Sequence, residues 1–206
     1  SMGNSIVYVV INKKIVAIIG INDIVRDNAK DVITKLNKRD IKTIMLTGDN
    51  SKTATQIANS LGIKEVKANM LPKAKANFIK NLKREHNIVM MCGDGINDSV
   101  ALANSDIGIS VNSGTDIAMD SSSVILTNNN LNSIINLINI STKTIKNIKQ
   151  NLFWAFFYNS LMIPIAIGLF APLGITINPM IASLAMVISS FTVILNALRL
   201  RRIKIS

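Results

Sequence analysis

From Leu152 to Leu198 the sequence carries no charged side chain. A stretch that long and that apolar cannot be a core segment of a water-soluble domain; it is long enough to cross a bilayer. Two prolines and a glycine within Ala171–Pro179 mark a turn, so the stretch reads as a hairpin of two membrane helices, about residues 152–172 and 179–198. Everything before it is an ordinary mixture of charged, polar and apolar residues. Lys143, Lys146 and Lys149 precede the first span, and Arg199, Arg201, Arg202 and Lys204 follow the second. The positive-inside rule then predicts a multi-pass membrane protein whose soluble part and C-terminus lie in the cytosol.

The excess of 23 Lys+Arg over 12 Asp+Glu gives a net charge of +11, which raises the question of nucleic acid. No element pairs a basic stripe with stacking aromatics, so no nucleic-acid partner is expected. Lys, Asn and Ile recur throughout the chain, and a compositional bias explains the charge more simply. The single cysteine, Cys92, excludes an internal disulfide framework and fits a reducing compartment. Lying in the apolar run Ile88–Cys92, it is expected to be a small core residue. His86 reads as a solvated helix end, and the opening Ser-Met-Gly has no signal-peptide pattern.

In the soluble part, β-branched runs at Ser5–Ile11 and Lys14–Ile21 predict a hairpin turning at Asn12-Lys13. A helical pattern follows from Asp27, with Ala29, Val32, Ile33 and Leu36 on one face. Further strands are expected at Ile41–Leu46, Val66–Ala68, Ile88–Cys92, Ile107–Val111 and Val124–Leu126. Helices are expected at Thr53–Leu61, from Pro72 to about Glu85, and near Asp116–Met119, with one long helix from Leu131 into the first span. Strands alternating with helices imply an α/β fold with a parallel sheet, whose chemistry gathers at the carboxyl ends of the strands. Two of those ends read Thr47-Gly48-Asp49 and Gly93-Asp94-Gly95, so one sheet would bring Thr47, Asp49 and Asp94 together.

Gly93-Asp94-Gly95-Ile96-Asn97-Asp98 places two carboxylates and an amide on a glycine-rich turn, a donor set suited to a hard cation such as Mg2+. Taken singly it is equally a solvated turn. Thr47 could hold a phosphate oxygen or cap a helix, and Lys75 alone is a surface charge. The order Thr-Gly-Asp, Pro-x-x-Lys, Gly-Asp-Gly-x-Asn-Asp, however, resembles the phosphorylation domain of P-type ATPases, within the haloacid dehalogenase-like superfamily. Ala101-Leu102-Ala103, Asp106-Ile107-Gly108-Ile109, Gly114-Thr115-Asp116 and Ile117-Ala118 extend the resemblance over essentially the whole chain. It implies a haloacid dehalogenase-like, Rossmann-like fold in which Thr47, Gly48 and Asp49 contact the phosphoryl group and Lys75 neutralises it. Asp94 and Asp98 would hold Mg2+, with Asn97 and Asp98 completing the network. ATP would be the substrate. The sequence departs from the family where Val100 replaces a proline and where the hinge reads Asp23-Ile24-Val25-Arg26. The Asp-Lys-Thr-Gly-Thr motif, whose aspartate accepts the phosphate, does not occur, so the chain alone is expected to be inactive. Residues 1–22 would be terminal strands of a nucleotide-binding domain, 23–137 the phosphorylation domain, and 138–206 the helix entering the membrane and the two spans.

Within the spans, Asn151 lies seven residues before Tyr158-Asn159, and Met186-Val187-Ile188-Ser189-Ser190 follows in the second. These resemble the Tyr-Asn and Met-x-x-Ser-Ser signatures of the copper(I)-transporting branch, and so imply that Tyr158, Asn159, Met186, Ser189 and Ser190 handle transported Cu+. Met186 and Ser190, four apart, share a helix face, and a thioether is a soft ligand suited to Cu(I). Standing alone, such polar groups could merely bond between packed helices. The alternatives are a Zn2+/Cd2+ pump, expected to show a lysine and an acidic residue in the spans, and a non-catalytic membrane protein. The resemblance also implies as partners the lipid bilayer, an actuator domain, a nucleotide-binding domain and further transmembrane helices, and it admits a cytosolic copper chaperone.

Overall fold

The computed structural model describes residues 5–21, 25–94, 97–111, 120–128, 130–169, 171–174 and 179–202. Two compact units divide the chain, Ser1–Ile135 and Asn136–Ser206. In the first, β1 (Ser5–Ile11) and β2 (Lys14–Ile21) form an antiparallel ribbon, turning where Asn12 and Lys13 both take positive φ. Val7, Tyr8, Val10, Ile15 and Ile18 are all about half exposed or more. An apolar two-stranded ribbon of this kind is marginal unless something covers it.

The α/β part follows as α1 (Ala29–Asn37), β3 (Ile44–Leu46), α2 (Ser51–Leu61), β4 (Glu65–Lys67), α3 (Pro72–Arg84), β5 (Met90–Gly93), α4 (Ser99–Asn104), β6 (Ile107–Ser110) and β7 (Val124–Ile125). The strands are shorter than their apolar runs, for a local reason. Helix α2 starts at Ser51 rather than Thr53 because Asn50 caps it, its Oδ1 accepting from the Thr53 backbone N–H at 3.0 Å. Strand β5 starts at Met90 rather than Ile88 because the Val89 N–H is taken by Asp106 Oδ2 at 2.9 Å. The short helix expected near Asp116–Met119 falls outside the described residues.

The expected α/β order and parallel pairing are present, and among the described residues that pairing falls into two sheets: β3 pairs with β4, and β5, β6 and β7 form the other in that order. The two halves share a core nonetheless. Ile79, Val89, Met91, Ala101 and Leu102 are buried together, and Leu46 of β3 packs against them. Helix α4 lies so close on β6 that a Cβ on Gly108 would come within 2.8 Å of the Leu102 carbonyl oxygen. One expectation is corrected: Cys92 is exposed, because alternation along β5 turns Met91 into the core and Met90 and Cys92 away from it. Atoms around the sulfur still strip enough hydration to push the thiol up to about 11, so at neutral pH it is not a thiolate nucleophile.

A long helix, α5 (Asn132–Ala166), begins in the first unit and runs on in the second; α6 (Pro179–Leu198) follows, continued by a 3-10 turn at Arg199–Arg202. Within the described residues, one segment, Ser183–Arg202, is long and apolar enough to cross a membrane. The first expected span is helical to Ala166, and Tyr158 and Asn159 are polar residues near its mid-length. Asparagines tie α5 to α6. Asn147 Nδ2 donates to the Asn196 carbonyl oxygen at 2.7 Å, and Asn196 Nδ2 donates to Asn151 Oδ1 at 2.8 Å.

Candidate functional site

In the first unit the loop after β3 is tightly wound. Thr47 donates its backbone N–H to the Lys67 carbonyl at 3.0 Å, and its own carbonyl accepts from Met70 N at 2.9 Å. Its hydroxyl donates to Asp49 Oδ2 at 2.8 Å and accepts the Asp49 N–H at 3.1 Å. The cap of α2 is Asn50, so of the two readings of Thr47 the helix cap is the one the structure sets aside. Gly48 is not demanded by space: a Cβ there would meet only the Met70 carbonyl oxygen, at an ordinary 3.6 Å.

Pro72 opens α3 at its first turn, and Lys75, one turn in, reaches Asp98 beyond β5. Lys75 Nζ lies 2.7 Å from Asp98 Oδ1, and the two side chains are only 12% and 15% exposed. At that depth each charge depends on the other, since an unpaired buried charge is strongly unfavourable. The neighbouring glycine makes the approach possible. A Cβ on Gly93 would lie 2.7 Å from Asp98 Oδ2 and 2.9 Å from Asp98 Cβ. The pairing spans 23 residues, and the sequence offered no signal for it beyond the motif. Asp94 and Asn97 are exposed at the end of β5; Gly95 and Ile96 lie outside the described residues. Asp98 is paired with Lys75, while Asp94 presents exposed carboxylate oxygens of the hard kind that suit Mg2+, an ion commonly bound by one or two carboxylates with water and substrate phosphate. No three of His, Cys, Asp and Glu cluster to hold a metal among the described residues.

A second clasp stiffens the same sheet. Asp106 Oδ2 accepts from Val89 N while Oδ1 pairs with Lys83 Nζ at 2.9 Å. The Val89 N–H, first, and then Lys83 hold the Asp106 carboxyl below the usual carboxylate range.

In the second unit a cavity of about 480 Å3 between α5 and α6 is lined by Tyr158, Asn159, Met186, Ser189 and Ser190. The residues singled out in the two spans therefore meet. Met162, which no sequence signature marked, lines the same cavity; its place one turn after Tyr158 could have suggested it. Ser190 Oγ donates to the Met186 carbonyl at 3.1 Å and Asn159 Nδ2 to the Ala155 carbonyl at 3.0 Å. The Ser190 hydroxyl, its proton given to its own helix, and the Asn159 amide oxygen then offer acceptor character next to two thioethers, while the Asn159 amide keeps a second N–H.

Residues 3–106 match the family model of haloacid dehalogenase-like hydrolases. The copper-exporting P-type ATPase of Legionella pneumophila is 43% identical over 98% of this chain and 27% of its own length. The silver exporting P-type ATPase of Salmonella typhimurium is 43% identical over 98% of this chain and 25% of its own. A crystal structure of a zinc-transporting PIB-type ATPase in the E2.Pi state superimposes with a TM-score of 0.82 at 36% identity, covering 97% of this chain and 32% of the other. The chain therefore spans about a quarter of the length of the curated relatives it matches.

Proposed function

The chain belongs to the haloacid dehalogenase-like hydrolases, and from that premise we propose that it forms the phosphorylation domain and closing membrane helices of an ATP-driven pump that exports Cu(I) from the cytosol. The observation that carries this reading is Lys75, a cation fixed by Asp98 beyond the end of β5. Phosphoryl transfer asks a protein mainly for positioning and for positive charge near the transferred oxygens. Lys75 would supply that charge, and the Thr47 hydroxyl, released from Asp49, would donate to a phosphoryl oxygen, with Gly48 leaving room for it. Asp94 would hold Mg2+, which when bound adds positive charge at the same oxygens; Asn97 and Asp98 complete the network, Asp98 through Lys75.

The aspartate that accepts the phosphate would come from elsewhere in the intact protein. Within the described residues β3 and β5 each pair on one side only. A strand bearing that aspartate would pair with both, join the two half-sheets and set its carboxylate between Thr47 and Lys75. The exposed β1–β2 ribbon would be covered in the same way by the rest of a nucleotide-binding domain. In this reading residues 1–22 close that domain, 23–137 form the phosphorylation domain and 138–206 enter and cross the membrane, with the basic flanks on the cytosolic side.

Cu(I) is favoured as cargo by the two thioethers beside oxygen acceptors in the cavity, a soft donor set, and by the copper- and silver-exporting relatives. A zinc cargo has in its favour the zinc-transporting structural neighbour; against it stands the lack of any charged side chain from Leu152 to Leu198. Metal-stimulated ATP hydrolysis by the intact protein separates the two. Stimulation by Cu(I) and Ag(I) is expected; stimulation by Zn2+ alone would refute the copper reading. This chain by itself should retain no acid-stable phosphate after incubation with ATP.

A further inference from the structure

A second cavity in the Asn136–Ser206 unit, of about 460 Å3, is lined by Lys143, Lys146, Asn147 and Gln150 of α5 and by Arg199 and Arg202 beyond α6. The four α5 residues are spaced i, i+3, i+4 and i+7, so they share one helix face. Four cations converge there, and no Asp or Glu occurs anywhere from Ser121 to Ser206. The unit therefore has no side-chain anion of its own to offset their repulsion. The floor is built by hydrogen bonds: Asn147 and Asn196 are 7% and 9% exposed, Asn147 Nδ2 holds the Asn196 carbonyl, and Arg199 Nη1 donates to Asn196 Oδ1 at 3.1 Å. That bond orients the guanidinium and leaves most of its five N–H donors for another acceptor.

We propose that this cavity binds the phosphate headgroup of an anionic phospholipid. Phosphate oxygens match the bidentate fork of arginine and the point charges of lysine. The tail argues for lipid over a free anion. Ile194, Leu195 and Leu198, in the turns of α6 just before Arg199, are all about half exposed, and they would carry acyl chains along the apolar helix while the headgroup stays at its basic end. Basic pockets between membrane helices on the cytosolic side suit such headgroups. The inference rests on reading α6 as a membrane helix, and the test separates the two.

The full chain is first reconstituted into phosphatidylcholine vesicles and washed with alkaline carbonate; extraction from them would remove the membrane reading and the lipid site with it. Lipid retention is then measured by native mass spectrometry against equal phosphatidylglycerol and phosphatidylcholine. Phosphatidylglycerol is expected to be held preferentially, and Lys146→Gln with Arg199→Gln to weaken it about thirtyfold, at roughly fivefold per basic residue. Lys146→Gln with Arg202→Gln, which keeps the Arg199–Asn196 bond, should do the same. Lys149→Gln with Arg201→Gln removes equal charge outside the cavity and should cost less than about fivefold. Equal losses in the inside and outside pairs would reduce the effect to diffuse surface charge. No preference for phosphatidylglycerol, or its displacement by inorganic phosphate at equal concentration, would also overturn the proposal.

Discussion

Replacing Gly93 by alanine tests the arrangement on which the phosphoryl site depends. The new Cβ would stand 2.7, 2.9 and 3.1 Å from Asp98 Oδ2, Cβ and Cγ, against a favourable carbon contact of about 3.5–4.0 Å. Asp98 cannot yield cheaply, because its Oδ1 is held at 2.7 Å by Lys75 and both side chains are largely enclosed. Either the overlap remains, at about 1–3 kcal/mol for an overpacked core, or Asp98 swings away and leaves Lys75 poorly paired, at a similar ~1–3 kcal/mol. The lower chain entropy of alanine in the unfolded state returns only ~0.4–1 kcal/mol. A net loss of about 1 kcal/mol, and at most ~2.6 kcal/mol, is a roughly 5-fold, and at most ~80-fold, rise in local opening. Hydrogen exchange by mass spectrometry on the full chain reads this in β5 and β6 and at Val111 just past β6, whose N–H donates to the Gly93 carbonyl. Gly48→Ala is the control, since its Cβ meets only an oxygen at 3.6 Å, and it should change exchange by no more than about twofold. The steric reasoning is wrong if Gly93→Ala exchanges like the parent chain, or if both alanines act alike.

Lys75→Met should strand the enclosed Asp98 carboxylate and destabilise the sheet, and adding Asp98→Asn should recover part of the loss; failure of the double variant to improve on the single one in the same exchange measurement would deny the coupling. Asp106 has a folded pKa below its unfolded value near 3.9. Its stabilising effect is therefore complete above that unfolded value and is lost as pH falls through the folded one. Thermal melts of the full chain between pH 6 and pH 2, about two units either side of that value, should show a shallower acid decline in Asp106→Asn, and parallel declines would contradict it. In the intact protein Met186→Leu should lower Cu(I)-stimulated ATP hydrolysis without creating a Zn2+ response, since the swap keeps volume and apolarity. Met162→Leu should lower it further, and an unchanged Cu(I) response in the double variant would remove the thioethers from the transport path.

Local signals and long-range packing divide the features of this chain between them, according to the range of the physics. The uncharged run from Leu152 to Leu198, the turn chemistry at Asn12-Lys13, and the proline at the start of α3 act within a few residues, so element types and order were legible from them. Motif order identified the loops after β3 and β5 for the same reason. Element ends were less legible, because Asn50 and Asp106 settle them by capturing single N–H groups. Which residues meet was legible only where a motif had already grouped them, as for Tyr158, Asn159, Met186, Ser189 and Ser190. Lys75 with Asp98, Asn147 with Asn196, and Met162 beside Met186 are joined across 23, 49 and 24 positions, through packing that no local pattern encodes. Cys92 shows the same limit: its apolar run promised burial, but which face of β5 receives helices, and whether an edge strand is present to cover the other, depends on chain far from it.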